Sequence, residues 1–237
     1  MKFEMFHTTK IFSFSSLLLL ASTFSFADGV SLDATRIVYP QGDKSVSISI
    51  KNSHSQVSYL TRTFITSTNN DRNVPFETTP PVFKIAPKSQ QEVRILEKSN
   101  NLPSDRESLF FFHATMIAGQ SEKVDGDGLN IGYDHVIKVF YRPKNLKLTS
   151  EEAQKKLSFQ SQGNQLKVTN DSPYYINLAQ ININKQKISM SMEKGNTTIA
   201  PYSSLTYPIS SNMQKGTITW RAITDLGGMN EFKAQLP

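Results

Sequence analysis

The chain offers few side chains for catalysis. It has four histidines and no cysteine in 237 residues. His54, His113 and His135 are scattered, and His7 belongs to the N-terminal segment. His113 and His135 lie on strand-like segments and read as ordinary sandwich residues. There is no His-Glu-x-x-His, no Gly-x-Ser-x-Gly and no glycine-rich phosphate loop. Asp125-Gly-Asp127-Gly lacks the later Glu of a calcium loop and reads as a turn. No catalytic residue, metal or cofactor is expected, and the chain does not read as an enzyme. The chemistry that remains is anion binding. Lys138 sits inside the apolar run Val136-Ile-Lys-Val-Phe-Tyr141, and Arg36 in the strand-like Ala34-Thr-Arg-Ile-Val-Tyr39. A lysine in such a run either snorkels to water or meets an anion, because a buried ammonium without a partner is costly. An Arg on a first strand is ordinarily solvated surface. Two such cations in one cleft would suit a carboxylate, each giving charge-assisted hydrogen bonds.

Next to Lys138 lies Leu129-Asn-Ile131-Gly-Tyr133-Asp-His135. Side chains alternate along a strand, so Leu129, Ile131 and Tyr133 share one face and Asn130, Gly132 and Asp134 the other. The continuous run after Asp134 reads as buried on both faces. One strand would then carry a buried end and an alternating end beside the polar loop Gly119–Gly128. An apolar edge not blunted by charge or proline invites pairing with another chain.

The elements that must hold these residues read as strands. Val46–Ile50, Val57–Ile65, Val93–Leu96, Leu109–Met116 and Leu129–Tyr141 alternate or run apolar. So do Leu166–Thr169, Ile176–Ile183, Ile188–Met192, Leu205–Ile209, Thr217–Ile223 and Glu231–Leu236. Pro, Gly and Asn/Asp clusters separate them, and Ser150–Lys156 is a helix of one or two turns at most. Short strands at this spacing predict an all-β protein of two sandwich domains. Lys2, Lys10, the apolar Ile11–Leu20 and the small-x-Ala site at Ser25-Phe-Ala27 predict a signal peptide over 1–27. The expected domains are 28–143 and 151–237, joined by a linker at 144–150. Export without cysteine excludes a disulfide scaffold and suits a bacterial periplasm. The apolar stretch at 11–20 is too short to span a bilayer, so no membrane insertion is expected. The net charge of +6 comes without a basic-aromatic cluster, which speaks against nucleic acid.

Several strings carry a family resemblance: Val30-Ser-Leu-Asp-Ala-Thr-Arg-Ile-Val38, Thr79-Pro-Pro-Val-Phe83, Leu102-Pro-Ser-Asp-Arg-Glu-Ser-Leu-Phe-Phe111, Ile137-Lys-Val-Phe-Tyr-Arg-Pro143 and Ile223-Thr-Asp-Leu-Gly-Gly228. Over essentially the whole exported chain they resemble the periplasmic pilus-assembly chaperones of the chaperone–usher pathway. The resemblance implies two immunoglobulin-like β-sandwich domains in an L or boomerang arrangement. It implies that Arg36 and Lys138 anchor the C-terminal carboxylate of a pilus subunit. Leu129, Ile131 and Tyr133 would be the donor-strand residues filling the subunit groove. Glu107, Arg142 and Asp225 would be a charged triad at the domain junction. The implied partners are pilus or fimbrial subunits and the outer-membrane usher, with no cofactor. A self-capping homodimer of the free chain is compatible with an apolar edge. Ile117-Ala118 replaces the usual Pro-Pro, Tyr133 is bulkier than the usual aliphatic, and the short cysteine-free loop before Leu129 resembles the branch serving rod-like pili. The competing reading is a secreted two-sandwich adhesin or ligand-binding module, which would need neither Lys138 in an apolar run nor an unblunted edge.

Overall fold

The structure is a computed structural model, and it describes residues 29–99, 101–119 and 132–237. The first half contributes β1 (Val30–Leu32), β2 (Arg36–Pro40), β3 (Ser45–Asn52), β4 (Tyr59–Ser67), β5 (Phe76–Thr79), β6 (Val82–Ile85), β7 (Ser89–Glu97), β8 (Ser108–Ala118) and β9 (Gly132–Arg142). Among the described residues these form two sheets, ordered β1-β3-β7-β5 and β2-β9-β8-β4-β6. Their inner faces meet in a core that includes Ile48, Ile50, Val93, Ile95, Phe112, Met116, Val139 and Tyr141. Period-two patterning produces this: in β8, Phe110, Phe112, Ala114 and Met116 point inward while Phe111, His113 and Thr115 are only half-buried on the other face. The result is a β-sandwich.

The second half begins with α1 (Ser150–Lys155). Thr149 caps it, accepting from the Glu152 amide while Glu152 bonds back to the Thr149 amide, a capping box written in Thr-Ser-Glu-Glu. Then follow β10 (Ser158–Gln162), β11 (Gln165–Asn170), β12 (Ile176–Ile183), β13 (Gln186–Lys187), β14 (Thr198–Ile199), β15 (Ser203–Pro208), β16 (Gly216–Ile223) and β17 (Met229–Leu236). The sheets β10-β11-β15 and β13-β12-β16-β17, with β14 on β12, enclose a second core around Leu166, Val168, Ile181, Ile183, Tyr207 and Trp220. The fold is thus all-β in two sandwiches. One buried asparagine closes a loop in each: Asn52 donates to the Val57 and Ala86 carbonyls, and Asn170 to those of Tyr174 and Ala200.

Two strand expectations need correction. Ile188–Met192 is not a strand. After one backbone bond from the Ile188 amide to the Ile181 carbonyl, the chain turns, held by the Ser191 amide on Asn196 Oδ1 and the Lys194 amide on Ser191 Oγ. Such local side-chain bonds compete with ladder formation. Nor is Val136–Tyr141 buried throughout. Val139, Phe140 and Tyr141 are buried, but Val136 is 45% exposed on the outer face, where β2 begins only opposite Lys138 and no strand of the described residues lies beside the preceding residues on that side. The short β5 and β6, on either side of Pro80-Pro81, give too little pattern to stand out in the sequence.

Asn170 is 1% exposed and also accepts from the Ser172 amide and hydroxyl, so Asn170→Ala leaves several buried groups unpaired. The expected loss is about 1–3 kcal/mol. Urea unfolding followed by Trp220, the single tryptophan, reads it; an unchanged midpoint would contradict the assignment.

Candidate functional site

The parallel pairing of β2 with β9 brings the two predicted cations together. Arg36 lies directly opposite Lys138, and the ladder runs from there to Pro40 opposite Arg142. Directly opposed residues of neighbouring strands share a face. Both cations therefore lie on the outer face of the sheet, with Phe140, while Val139 and Tyr141 enter the core. They line a cleft of about 220 Å³ with Thr35, Val136, Asn177 and Met192. The second sandwich closes this cleft.

Lys138 Nζ donates to Asn177 Oδ1 at 2.6 Å and to Thr198 Oγ1 at 2.5 Å. An ammonium has three donors, so one remains. Burial first, and then the adjacent Arg36 charge, push the Lys138 pKa down to about 8. Burial also lowers that of Arg36, against the attraction of Asp225. Arg36 Nε is buried and has no hydrogen-bond partner among the described residues. Two like charges thus share a partly desolvated cleft, and one of them keeps an unused buried donor. An anion between them would relieve both penalties.

Glu107, Arg142 and Asp225 meet at the junction of the two halves. Arg142 Nε donates to Glu107 Oε1 at 2.7 Å, and its two terminal nitrogens grip Asp225 at 2.7 and 2.9 Å. Glu107 Oε2 accepts the Tyr175 amide, and Ser150 donates to Asp225. Burial pushes the Glu107 carboxyl up despite Arg142, whereas the bonds from Arg142 outweigh burial and hold Asp225 low. Asp225 sits in the turn closed by the Thr224 amide on the Gly228 carbonyl. Gly227 in that turn has φ +83°, and a Cβ there would come within 2.7 Å of Thr35 Oγ1. Only glycine lets the turn lie so close to the residue before Arg36.

Of the three predicted donor residues, Leu129 and Ile131 lie outside the described residues. Tyr133 is 52% exposed. Its strand face leads into the core through Ile137 and Val139, but it stands past the core's end, over a cleft of about 230 Å³ with Gly29, Val30, Tyr59 and His135. Among the described residues, β9 has β8 on one side from Gly132 to Tyr141, but β2 on the other only from Lys138 onward. Gly132–Ile137 therefore present one row of backbone groups with no strand beside it.

Sequence reasoning does not find Asn177 and Thr198. A signal exists for Asn177, a polar residue inside the apolar Tyr174-Tyr-Ile-Asn-Leu178 and only 4% exposed. Nothing marks Thr198. His113, expected as an ordinary sandwich residue, makes polar contacts to Thr66 and Asp134 on the outer face of its sheet.

Comparison with known proteins places this architecture. Residues 29–147 match the family model described as pili and flagellar-assembly chaperone, PapD N-terminal domain, and residues 152–234 match pili assembly chaperone PapD, C-terminal domain. The chain therefore belongs to the PapD family of pilus-assembly chaperones, a family of chaperones and not of enzymes. It is 31% identical to the probable fimbrial chaperone protein ElfD of Escherichia coli O157:H7, over 89% of this chain and 88% of that one. It is 34% identical to the chaperone protein LpfB of Salmonella typhimurium, over 81% of this chain and 85% of that one. Among solved structures, a chain of the Salmonella enterica SafA pilin–SafB chaperone complex superposes with a TM-score of 0.77 at 28% identity, covering 90% of this chain and 98% of that one. The E. coli chaperone DraB gives 0.75 at 30% identity, covering 89% and 97%. Among the described residues no helix is long and apolar enough to cross a membrane.

At pH 7 the Lys138 ammonium is charged in both the folded and unfolded chain, so its burial opposes folding. As pH rises from about 8 towards the ordinary lysine value of 10.5, the folded chain loses the proton first. The unfolded chain then holds more protons, and the penalty fades. Lys138→Met should therefore be no less stable than wild type at pH 7, with Thr198 still donating to Asn177 Oδ1, and wild type should gain on the variant between pH 8 and 10. Thermal melts across this range check it; a variant less stable at pH 7 would contradict the cost.

Proposed function

We propose that this chain is a periplasmic chaperone, exported by a signal peptide cleaved after Ala27, that binds pilus subunits by lending them a strand. The observation that carries this reading is the edge of β9 from Gly132 to Ile137, which has no strand beside it among the described residues and runs straight into the Arg36–Lys138 cleft. A subunit lacking one strand exposes a groove and a row of unsatisfied backbone groups. The lent strand supplies ladder hydrogen bonds and puts Leu129, Ile131 and Tyr133 into that groove. Each apolar side chain contributes about 1.5–3 kcal/mol when fully buried. Chaperone–pilin pairs are themselves a known instance of such strand addition.

The two cations take the subunit's C-terminal carboxylate, Lys138 through its remaining N–H and Arg36 through its guanidinium. That contact fixes register: a slip of one residue would exchange Leu129, Ile131 and Tyr133 for Asn130 and Gly132. The junction triad, Glu107–Arg142–Asp225, holds the sandwich domains, 28–143 and 151–237 about the linker 144–150, so that Asn177 and Thr198 stay beside Lys138. Delivery of the captured subunit to an outer-membrane usher completes the role. The SafA–SafB complex, a pilin bound by its chaperone, supports a pilus subunit as the partner. The free chain can cap its own edge by dimerising, for the same physical reason.

Arg36→Ala or Lys138→Ala should weaken capture at least about thirtyfold while leaving the fold intact, since breaking a buried charge pair costs a few kcal/mol. The probe is a synthetic strand peptide of alternating apolar and polar residues with a free C-terminal carboxylate; a C-terminally amidated copy binding equally well would overturn the anchor. Affinity should hold below pH 8 and fall as pH rises above it, because the free chain then loses the Lys138 proton that binding must restore. Ile131→Asp should block subunit co-purification more than Asn130→Asp, and equal effects would contradict the facing of the strand.

A further inference from the structure

The edge of β9 that has no strand beside it among the described residues is fastened from behind. Asp134 lies midway along the unpaired stretch, on its outer face, opposite Thr115 of β8. Its Oδ2 is 3.0 Å from His113 Nδ1, and its Oδ1 accepts from Thr115 Oγ1 at 3.1 Å. The other ring nitrogen of His113 is 3.1 Å from Thr66 Oγ1 on β4. The chain of contacts thus crosses three strands, Thr66–His113–Asp134, and returns to β8 through Thr115.

The imidazole is itself fixed. It stacks on Phe64 at 4.6 Å between ring centroids and 5° between planes. The Arg72 guanidinium lies 4.1 Å from the Phe64 centroid, and Arg62, in the row of Thr115 and Asp134, lies 5.4 Å from it. This is a costly arrangement for a surface face unless something needs the ring immobile, because ordering long side chains loses rotamer freedom.

We infer that Asp134, gripped by His113 and Thr115, is a positioning residue that holds the lendable end of β9 extended on β8 before a subunit arrives. A strand end with one neighbour frays. Every conformation in which Gly132–Ile137 leaves the ladder is incompetent for pairing, and it lowers the apparent affinity by the fraction of time so spent. The carboxylate grips from the outer face and leaves the backbone edge and the Tyr133 face clear. The inference rests on the strand-lending reading, but the fastening has its own readout.

Amide hydrogen exchange on the free chain tests it, with the carboxylate-ended strand peptide as binding probe. Asp134→Ala should speed exchange of the β8-bonded amides in 132–137 by about tenfold and slow peptide association roughly threefold, with the global melting temperature unchanged. Asp134 has a side chain 43% exposed, so the variant folds. Asp134→Asn, which keeps an acceptor for Thr115, should recover part of both effects, and Thr115→Val should lie between. Unchanged exchange in Asp134→Ala would overturn the fastening, as would a melting temperature that falls in parallel with it. If wild type binds no peptide, the strand-lending reading fails and the exchange result alone decides the fastening.

Discussion

Five ladder positions between β2 and β9, starting at Arg36 opposite Lys138 and ending at Pro40 opposite Arg142, set the terms for the rest of the molecule. Because the pairing is parallel and in register, the two cations stand side by side on one face. Because β2 begins there, the six residues of β9 before Lys138 keep a row of backbone donors and acceptors with no neighbour among the described residues. A cationic cleft and a vacant sheet edge are two consequences of one strand boundary, and they adjoin without any further device.

The electrostatics at this boundary oppose stability. Placing two positive groups together in a half-buried cleft raises the free energy of the folded chain, and the depressed Lys138 pKa is the sign of it. The junction offsets the strain by geometry. Arg142, four residues further along the same strand, has its charge met by both Glu107 and Asp225. The same Asp225 attracts Arg36 and hangs in a turn that Gly227 allows to touch Thr35. One strand therefore carries a satisfied cation at its buried end and an unsatisfied one at its open end. An anion bound at the open end would remove the difference between them.

How much of this the sequence discloses depends on distance along the chain. The sandwiches are legible because alternation is local: β3, β8 and β12 each declare an inner face. Lys138 is legible as a type violation in an apolar run, and Glu107, Arg142 and Asp225 enter only through resemblance. What local pattern cannot state is which residues far apart in the chain face one another. The parallel register of Arg36 on Lys138, and the reach of Lys138 to Asn177 and Thr198, are of that kind. Val136 departs from expectation because burial depends on where β2 begins. Ile188–Met192 departs because the side chains of Ser191 and Asn196 bend an apolar stretch that composition assigns to a strand. His113 has the pattern of an ordinary sandwich residue, and its contacts to Thr66 and Asp134 on the outer face are again long-range.

The central claim is that the vacant side of Gly132–Ile137 becomes a ladder when a client binds. Residue-resolved exchange of those amides not bonded to β8, with and without the carboxylate-ended strand peptide, measures it directly. The account predicts strong protection of these amides in the complex, lost when the peptide is amidated. A complex that forms while these amides exchange as freely as in the unbound chain would contradict it.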